Sequence, residues 1–369
     1  MGAERQMSRY NVWFSVVMGT CCSNGGVIAA SGYTPRDFYA CRDNLGQFGF
    51  FSEKQVEKAK TLALKDTEEI YLRHAERGIE STNYADAWFP KRLLGIATAP
   101  LVLFYKGDLS ILEAQHTVAV IGSRRCNGEG EKAARIIAGD IAGMGGVVVS
   151  GLAQGVDTVA HKACVEAGGR TAAFTGVPLD ECFPRANADF QHRLEKGHLV
   201  LSEYISGYPY YGANFIQRNR LIAAASDAVC VIQAKKKSGS LATVNRAIEY
   251  DRPVFTVPGS IFSTAYRGSN RLLIKGEAMA TADGKTIMEY LGVSEERTAE
   301  AVQAEEKRLP DDLSEGALAV LAVMDGAMFS SRIAKVAALP AAVVKAALTE
   351  LEMYAVIEKT ATGEYIRLK

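Results

Sequence analysis

Short apolar runs recur through the middle of the chain, at residues 101–105, 118–121, 147–150, 171–175, 199–202, 228–233 and 254–257. Each is strand-sized, and helical patterns fill most of the gaps between them. Strands that are apolar on both faces and alternate with helices demand a parallel sheet covered on both sides. The expected class is therefore α/β, with right-handed crossovers. Several of these runs open into small residues just before a helix pattern, as Gly122-Ser123-Arg124 does after the second and Ser150-Gly151-Leu152-Ala153-Gln154-Gly155-Val156-Asp157 does at the end of the third. A helix start leaves backbone N–H groups unpaired, and in an open parallel sheet such loops share one rim. An anion suits that place, and Arg124 adds a mobile positive charge.

At 369 residues the chain is long enough for two or three domains, and its 48% apolar content supports a large core. Lys plus Arg and Asp plus Glu number 42 each, so the net charge is zero. That argues against a surface coated in positive charge but leaves room for a local basic pocket. The seven cysteines show no CxxC spacing, which suits a reduced cytoplasmic protein better than a disulfide framework. His161 and Cys164 lie three apart on an expected helix but lack a second ligand pair, so no metal is expected. No run approaches the ~20 apolar residues needed to cross a bilayer. Arg5 and Arg9 precede a short apolar stretch that vaguely imitates a signal sequence. Trp13, Val16 and Val17 recur there at helical spacing, so a buried helix is expected instead.

The remaining loops repeat the theme. Asn214-Phe215-Ile216-Gln217-Arg218-Asn219-Arg220-Leu221 brings two guanidiniums and an amide to an apolar helix, with Tyr208, Tyr210 and Tyr211 just before. Cations hold phosphates and flat rings stack on bases, although a polar helix start with a solvated face would read the same way. Lys235-Lys236-Lys237-Ser238-Gly239-Ser240 and Val257-Pro258-Gly259-Ser260 also follow strands. There is no G-x-G-x-x-G fingerprint with a closing acid, no Walker A lysine, no nucleophile–base–orienter set and no carboxylate cluster. Asp157 reads as a helix-capping acid and His161 as an orienting or buried group.

The flanks differ in character. Residues 1–81 read as a small helical domain, with a capping box opening at Ser52 and a packing seam at Phe48-Gly49-Phe50-Phe51. The sheet domain spans 82–292, and 293–312 is a charged linker. Residues 313–369 contain three helical patterns and a hairpin turned at Thr362-Gly363, the outline of a winged-helix module.

These motifs, in this order, resemble the DNA processing protein A (DprA/Smf) family of bacteria. The likeness is carried by Val118 through Arg124, Ser150 through His161, Leu201-Ser202-Glu203-Tyr204, Asn214-Phe215, Arg218 through Ala223, Ser238-Gly239-Ser240-Leu241 and Val257 through Ser260. The resemblance implies an extended Rossmann-like domain flanked by a sterile-alpha-motif-like N-terminal region and the winged-helix module. It implies a cytoplasmic homodimer that binds and protects single-stranded DNA and hands it to the RecA recombinase in natural transformation, without catalysis and without a cofactor. Carried over by motif, Gly122, Ser123, Arg124, Arg218, Asn219 and Leu221 line the DNA pocket, with Arg220, Ser238 and Gly239 adjacent. The chain departs from many relatives at Ile216, where proline is common, and at Gln217, where a base is frequent. Phe89-Pro90 replaces a common Tyr-Pro, and Gly19-Thr20-Cys21 a Gly-hydrophobic-Gly hairpin. The competing expectation is a nucleotide-binding enzyme or sensor of the phosphoribohydrolase type. It is disfavoured because Lys237-Ser238-Gly239-Ser240-Leu241-Ala242-Thr243 stands where those enzymes carry Pro-Gly-Gly-x-Gly-Thr.

Overall fold

The computed structural model describes residues 8–209, 211–294, 313–324, 326–353, 356–360 and 363–367. Almost all of the expected linker, together with Tyr210, Asp325 and Thr362, lies outside the described residues. Two compact units result, divided between Val293 and Ser294.

The first unit is built on a nine-stranded sheet. Its strands are β1 (Glu80–Asn83), β2 (Val102–Gly107), β3 (Thr117–Ile121), β4 (Val147–Ser150), β5 (Thr171–Phe174), β6 (Leu199–Ser202), β7 (Ala228–Val231), β8 (Val254–Thr256) and β9 (Met279–Ala280). Their spatial order is β1-β2-β6-β5-β4-β3-β7-β8-β9. From β6 across to β9 neighbours run parallel, while β2 joins β6, and β1 joins β2, antiparallel. The α/β class read from the alternation is what the chain adopts. Every residue of β3, β4 and β7 is buried, as strands covered on both faces must be.

From β3 the chain winds outward through β4, β5 and β6. The helix Gly212–Ala224 then carries it back across to β7, on the other side of β3. The direction of winding therefore reverses between β3 and β7, a switch point of the kind that opens a crevice at strand C-terminal ends. The helix Gly128–Gly143 starts at Asn127, whose side chain accepts from the Gly130 N–H at 3.0 Å. Ala134, Ile137, Ala138 and Ile141 then recur at helical spacing and bury against Val118, Val120 and Val148. Each buried Ile or Val side chain here contributes about 1.5–3 kcal/mol, and each Ala methyl about 0.8 kcal/mol.

The N-terminal helices share an apolar cluster with the sheet: Trp13, Phe14 and Phe38 meet Phe104, Ala173 and Val200. Trp13 and Val17 are buried on Arg9–Met18, and the capping box at Ser52 forms, with Gln55 bonding back at 2.9 Å. Phe51 packs on Phe38 at 5.1 Å and on Phe50 at 4.8 Å, so the aromatic seam is real. The second unit has helices Glu315–Val323, Ser330–Val336 and Ala341–Met353, plus an antiparallel hairpin of Ile357–Lys359 with Tyr365–Arg367. Met328 bridges to Tyr365, extending the hairpin. No helix among the described residues is long and apolar enough to cross a membrane.

Candidate functional site

A cavity of about 440 Å³ opens at the switch point. Gly122, Ser123 and Arg124 enter it from the end of β3. Arg218 and Asn219 enter from the helix Gly212–Ala224, and Ser238 and Gly239 from the loop after β7. A smaller neighbour of about 130 Å³ shares Arg124, Phe215 and Arg218 and adds Gly151 and Phe183.

Close backbone contact makes the rim. Gly155 has φ +85°, and a Cβ there would stand 2.3 Å from the Ser123 carbonyl oxygen. Glycine is the residue that admits both the angle and the approach. The Val156 N–H donates to the Ser123 carbonyl at 3.2 Å, locking the two loops together. Here the structure departs from the expectation of open helix starts. The Gly151 N–H is taken by Asp157 at 3.2 Å, Thr158 N–H by Ala153 O at 3.1 Å, and Gly130 N–H by Asn127. Folding back satisfies donors that burial would otherwise strand.

Arg124 is exposed, with its guanidinium carbon 5.2 Å from the centre of the Phe215 ring. A planar cation over an aromatic face is held in orientation while its outer N–H groups stay available. Phe183 lies 5.0 Å from Phe215, so two rings stand beside this cation. The Ser123 hydroxyl accepts from the Arg125 N–H at 3.1 Å and still has its own proton to donate. Lys235 adds an exposed ammonium to the same wall.

Arg218 is a different kind of residue, only 3% exposed. Its Nη1 donates to the carbonyls of Gly151, at 2.6 Å, and of Phe174, while Nε donates to Asn219 Oδ1 at 3.2 Å. Asn219 passes the link on, donating to the Gly239 carbonyl at 3.3 Å. One guanidinium thus ties the ends of β4 and β5 to the loop after β7. A Cβ on Gly151 would lie 2.6 Å from Nη1, so glycine is needed for this seat. Burial pulls Arg218 down to about 10, against the attraction of Asp157, and it stays charged at neutral pH. Burial likewise pushes the Asp157 carboxyl up, opposed first by Arg218 and then by backbone N–H groups and Arg124.

Two expected pocket residues are not brought to the cavity. Arg220 is 1% exposed and pairs with Glu203 at 2.7 Å, and Leu221 belongs to the core. The cause is helical rotation: Phe215, Arg218, Asn219 and Ile222 fall on one face, and a residue two positions beyond Arg218 points away from it. Tyr208 packs on Tyr204 with tilted rings 5.5 Å apart, while Tyr211 is exposed ahead of the helix. His161 is buried with Nδ1 2.6 Å from Thr171 Oγ1, held neutral by desolvation, and Cys164 donates to the Arg170 carbonyl. No group of three or more His, Cys, Asp and Glu side chains able to hold a metal occurs among the described residues. The sequence reading missed Phe183 and underweighted Phe215. The helical face shared with Arg218 is the signal for Phe215; Phe183 comes from a distant loop and has none.

Comparison with known proteins agrees with this architecture. The family model for DNA recombination-mediator protein A matches residues 80–292. The DNA processing protein DprA of Streptococcus pneumoniae is 39% identical over 225 residues, 60% of this chain and 78% of that protein. That of Bacillus subtilis is 34% identical over 243 residues, 64% of this chain and 82% of that one. The crystal structure of the S. pneumoniae protein superposes with a TM-score of 0.67 at 30% identity, covering 77% of this chain and 98% of the other. A structure of DNA processing protein A from Helicobacter pylori, solved for its single-stranded DNA binding mode, gives 0.52 at 31% identity over 55% of this chain and 92% of the other. The chain is a member of the DNA recombination-mediator protein A family, the DprA/Smf proteins.

Proposed function

We propose that this protein binds single-stranded DNA along the rim of the sheet and serves as a DNA processing protein in natural transformation. The observation that carries the reading is the shared cavity. Gly122, Ser123, Arg124, Arg218, Asn219, Ser238 and Gly239 meet there, beside the aromatic ring of Phe215. Phosphates are held by Arg124, Ser123 and Lys235, and bases stack on Phe215 and Phe183. Arg218 acts behind them as a positioning residue. The single-stranded DNA binding named for the H. pylori relative supports the choice of ligand.

The finer reading follows the family. The bound strand is protected and passed to the RecA recombinase, the working form is a homodimer, and the setting is the cytoplasm, which suits seven free cysteines. The C-terminal helices and hairpin serve as a winged-helix regulatory module. The protein works without catalysis. Asp157, the carboxylate that lines the cavity, accepts from the Gly151 N–H, a structural role that suits binding without catalysis.

Fluorescence anisotropy with an oligothymidylate across a salt series tests this. Arg124→Ala weakens binding about tenfold or more, the value of one charge-assisted hydrogen bond, and lowers the salt slope by about 0.7. Its thermal unfolding matches the parent, because Arg124 is exposed. Titrations of Arg124→Ala that coincide with the parent at every salt concentration refute the proposal.

A further inference from the structure

The loop after β8 reaches the same rim and has no role in the cavity. It presents Ile261 at 76% and Phe262 at 90% exposure, the latter the most exposed large apolar side chain described. The loop is well anchored. Asn270 clamps Gly259 from both sides, accepting from its N–H at 3.1 Å and donating to its carbonyl at 2.8 Å. Ser263 N–H closes a turn on the Ser260 carbonyl at 3.1 Å, and Ser260 Oγ accepts from the Phe262 N–H at 3.3 Å. Ile261 and Phe262 are the two central residues of that turn, so the backbone holds them outward. An apolar pair fixed in water is a sign of something it contacts.

Its neighbours say what that is. The Gly268 and Ser269 N–H groups both donate to the Ala234 carbonyl, at 2.8 and 3.3 Å. A Cβ on Gly268 would lie 2.4 Å from the Lys235 carbonyl oxygen. The root of the apolar turn therefore abuts the segment whose Lys235 lines the cavity. Lys235, Lys236, Lys237 and Arg267 are all exposed at this junction. Cations beside an outward aromatic ring are the pattern that tracks a polynucleotide backbone and stacks its bases.

We infer that Phe262 is a stacking platform for a base of the bound strand after the strand has left the cavity, with the lysine run holding the intervening phosphates. The inference rests on the single-stranded DNA reading above and extends its footprint by a second contact. The test uses the full chain and oligothymidylates from about six to about thirty nucleotides. In the parent, affinity rises with length once the strand reaches the turn. Phe262→Ala lowers affinity for the long oligonucleotides about five- to tenfold and leaves the short ones unchanged. Phe262→Trp retains the parent affinity, and its added indole fluorescence is quenched by long but not by short oligonucleotides. Equal binding of Phe262→Ala and parent at all lengths overturns the inference. So does a loss of molecular mass by light scattering in Phe262→Ala without DNA, which assigns the turn to a second copy of the chain. If the parent binds no oligonucleotide of any length, the central reading fails instead, so the two failures are distinct.

Discussion

Replacing Arg218 by methionine keeps most of the side-chain bulk and removes the charge. The loss is worked from its surroundings. Arg218 is 3% exposed and makes hydrogen bonds to the Gly151 and Phe174 carbonyls and to Asn219, and its cation offsets Asp157. Two buried carbonyls left unserved cost about 1–3 kcal/mol each, and the lost attraction on Asp157, which lies beyond ion-pair distance, brings the total to about 3–5 kcal/mol. For a unit of this size, that is a fall of about 5–8 °C in the thermal midpoint. The pH dependence has a definite sign. In Arg218→Met the Asp157 carboxyl is raised further above its unfolded value, so the charge part of the deficit is full above that raised value, shrinks as pH falls through it, and is gone by the unfolded carboxylate value, about 4, while the lost hydrogen bonds cost the same throughout. Adding Asp157→Asn removes the stranded charge and recovers about half the loss, while the two carbonyls stay unserved. Thermal denaturation of parent, single and double variants from about pH 4 to about pH 8 reads this directly. A loss under about 1 kcal/mol in the single variant, or a double variant no better than the single, refutes the buried-pair reasoning.

The other predictions concern the rim, the histidines and the extended footprint. Gly155→Ala, forced to φ +85° with its Cβ against the Ser123 carbonyl, costs at least 1–3 kcal/mol by roughly the strain involved, and weakens oligothymidylate binding because the two loops part; parent-like melting and binding would disprove the contact. His161, lowered to about 3, and His74, lowered to about 4, are both buried neutral, each chiefly by desolvation. Their folded values lie below the unfolded one, so their stability is present above about pH 6.5 and is lost as pH falls, at about 2.6 kcal/mol per pH unit near pH 5. Urea titrations of parent and His74→Asn check it, the variant showing about half that slope. Arg124→Ala and Phe262→Ala separate by oligonucleotide length, the first failing at every length and the second only at the long ones.

The central strands were legible because they are buried on both faces, and a run such as Val118-Ala119-Val120-Ile121 suits little else. β1 was not. Glu80–Asn83 is polar, and its Ser81 and Asn83 are satisfied by Asn11 from the first helix, a partner about seventy residues away that no local pattern shows. β9 is two exposed residues. At the site, Gly122-Ser123-Arg124 pointed to an anion only in company with the other strand-end loops, because alone it reads equally well as a tight turn with a solvated arginine. The pair Arg218 and Arg220 looked equivalent in sequence, yet helical rotation sends one to the cavity and the other to Glu203. Which guanidinium is free is a tertiary fact: Arg218 and Arg220 are both buried, and the exposed guanidiniums at the cavity are Arg124 and Arg125.

That distinction decides how a chain of zero net charge can hold a polyanion. Asp157 alone would place a negative charge behind the cavity and repel a phosphate. Arg218 cancels it, so the pair adds structure to the rim and almost no field at its mouth. The attraction then comes from Arg124, Arg125 and Lys235, all solvent-facing and placed over a backbone that the buried pair keeps fixed. Removing Arg218 therefore harms binding in two ways, by freeing the Gly151 and Phe174 carbonyls and by uncovering Asp157. The double variant with Asp157→Asn restores the charge but not the hydrogen bonds. Whatever oligothymidylate affinity returns in it is electrostatic, and whatever stays lost belongs to position.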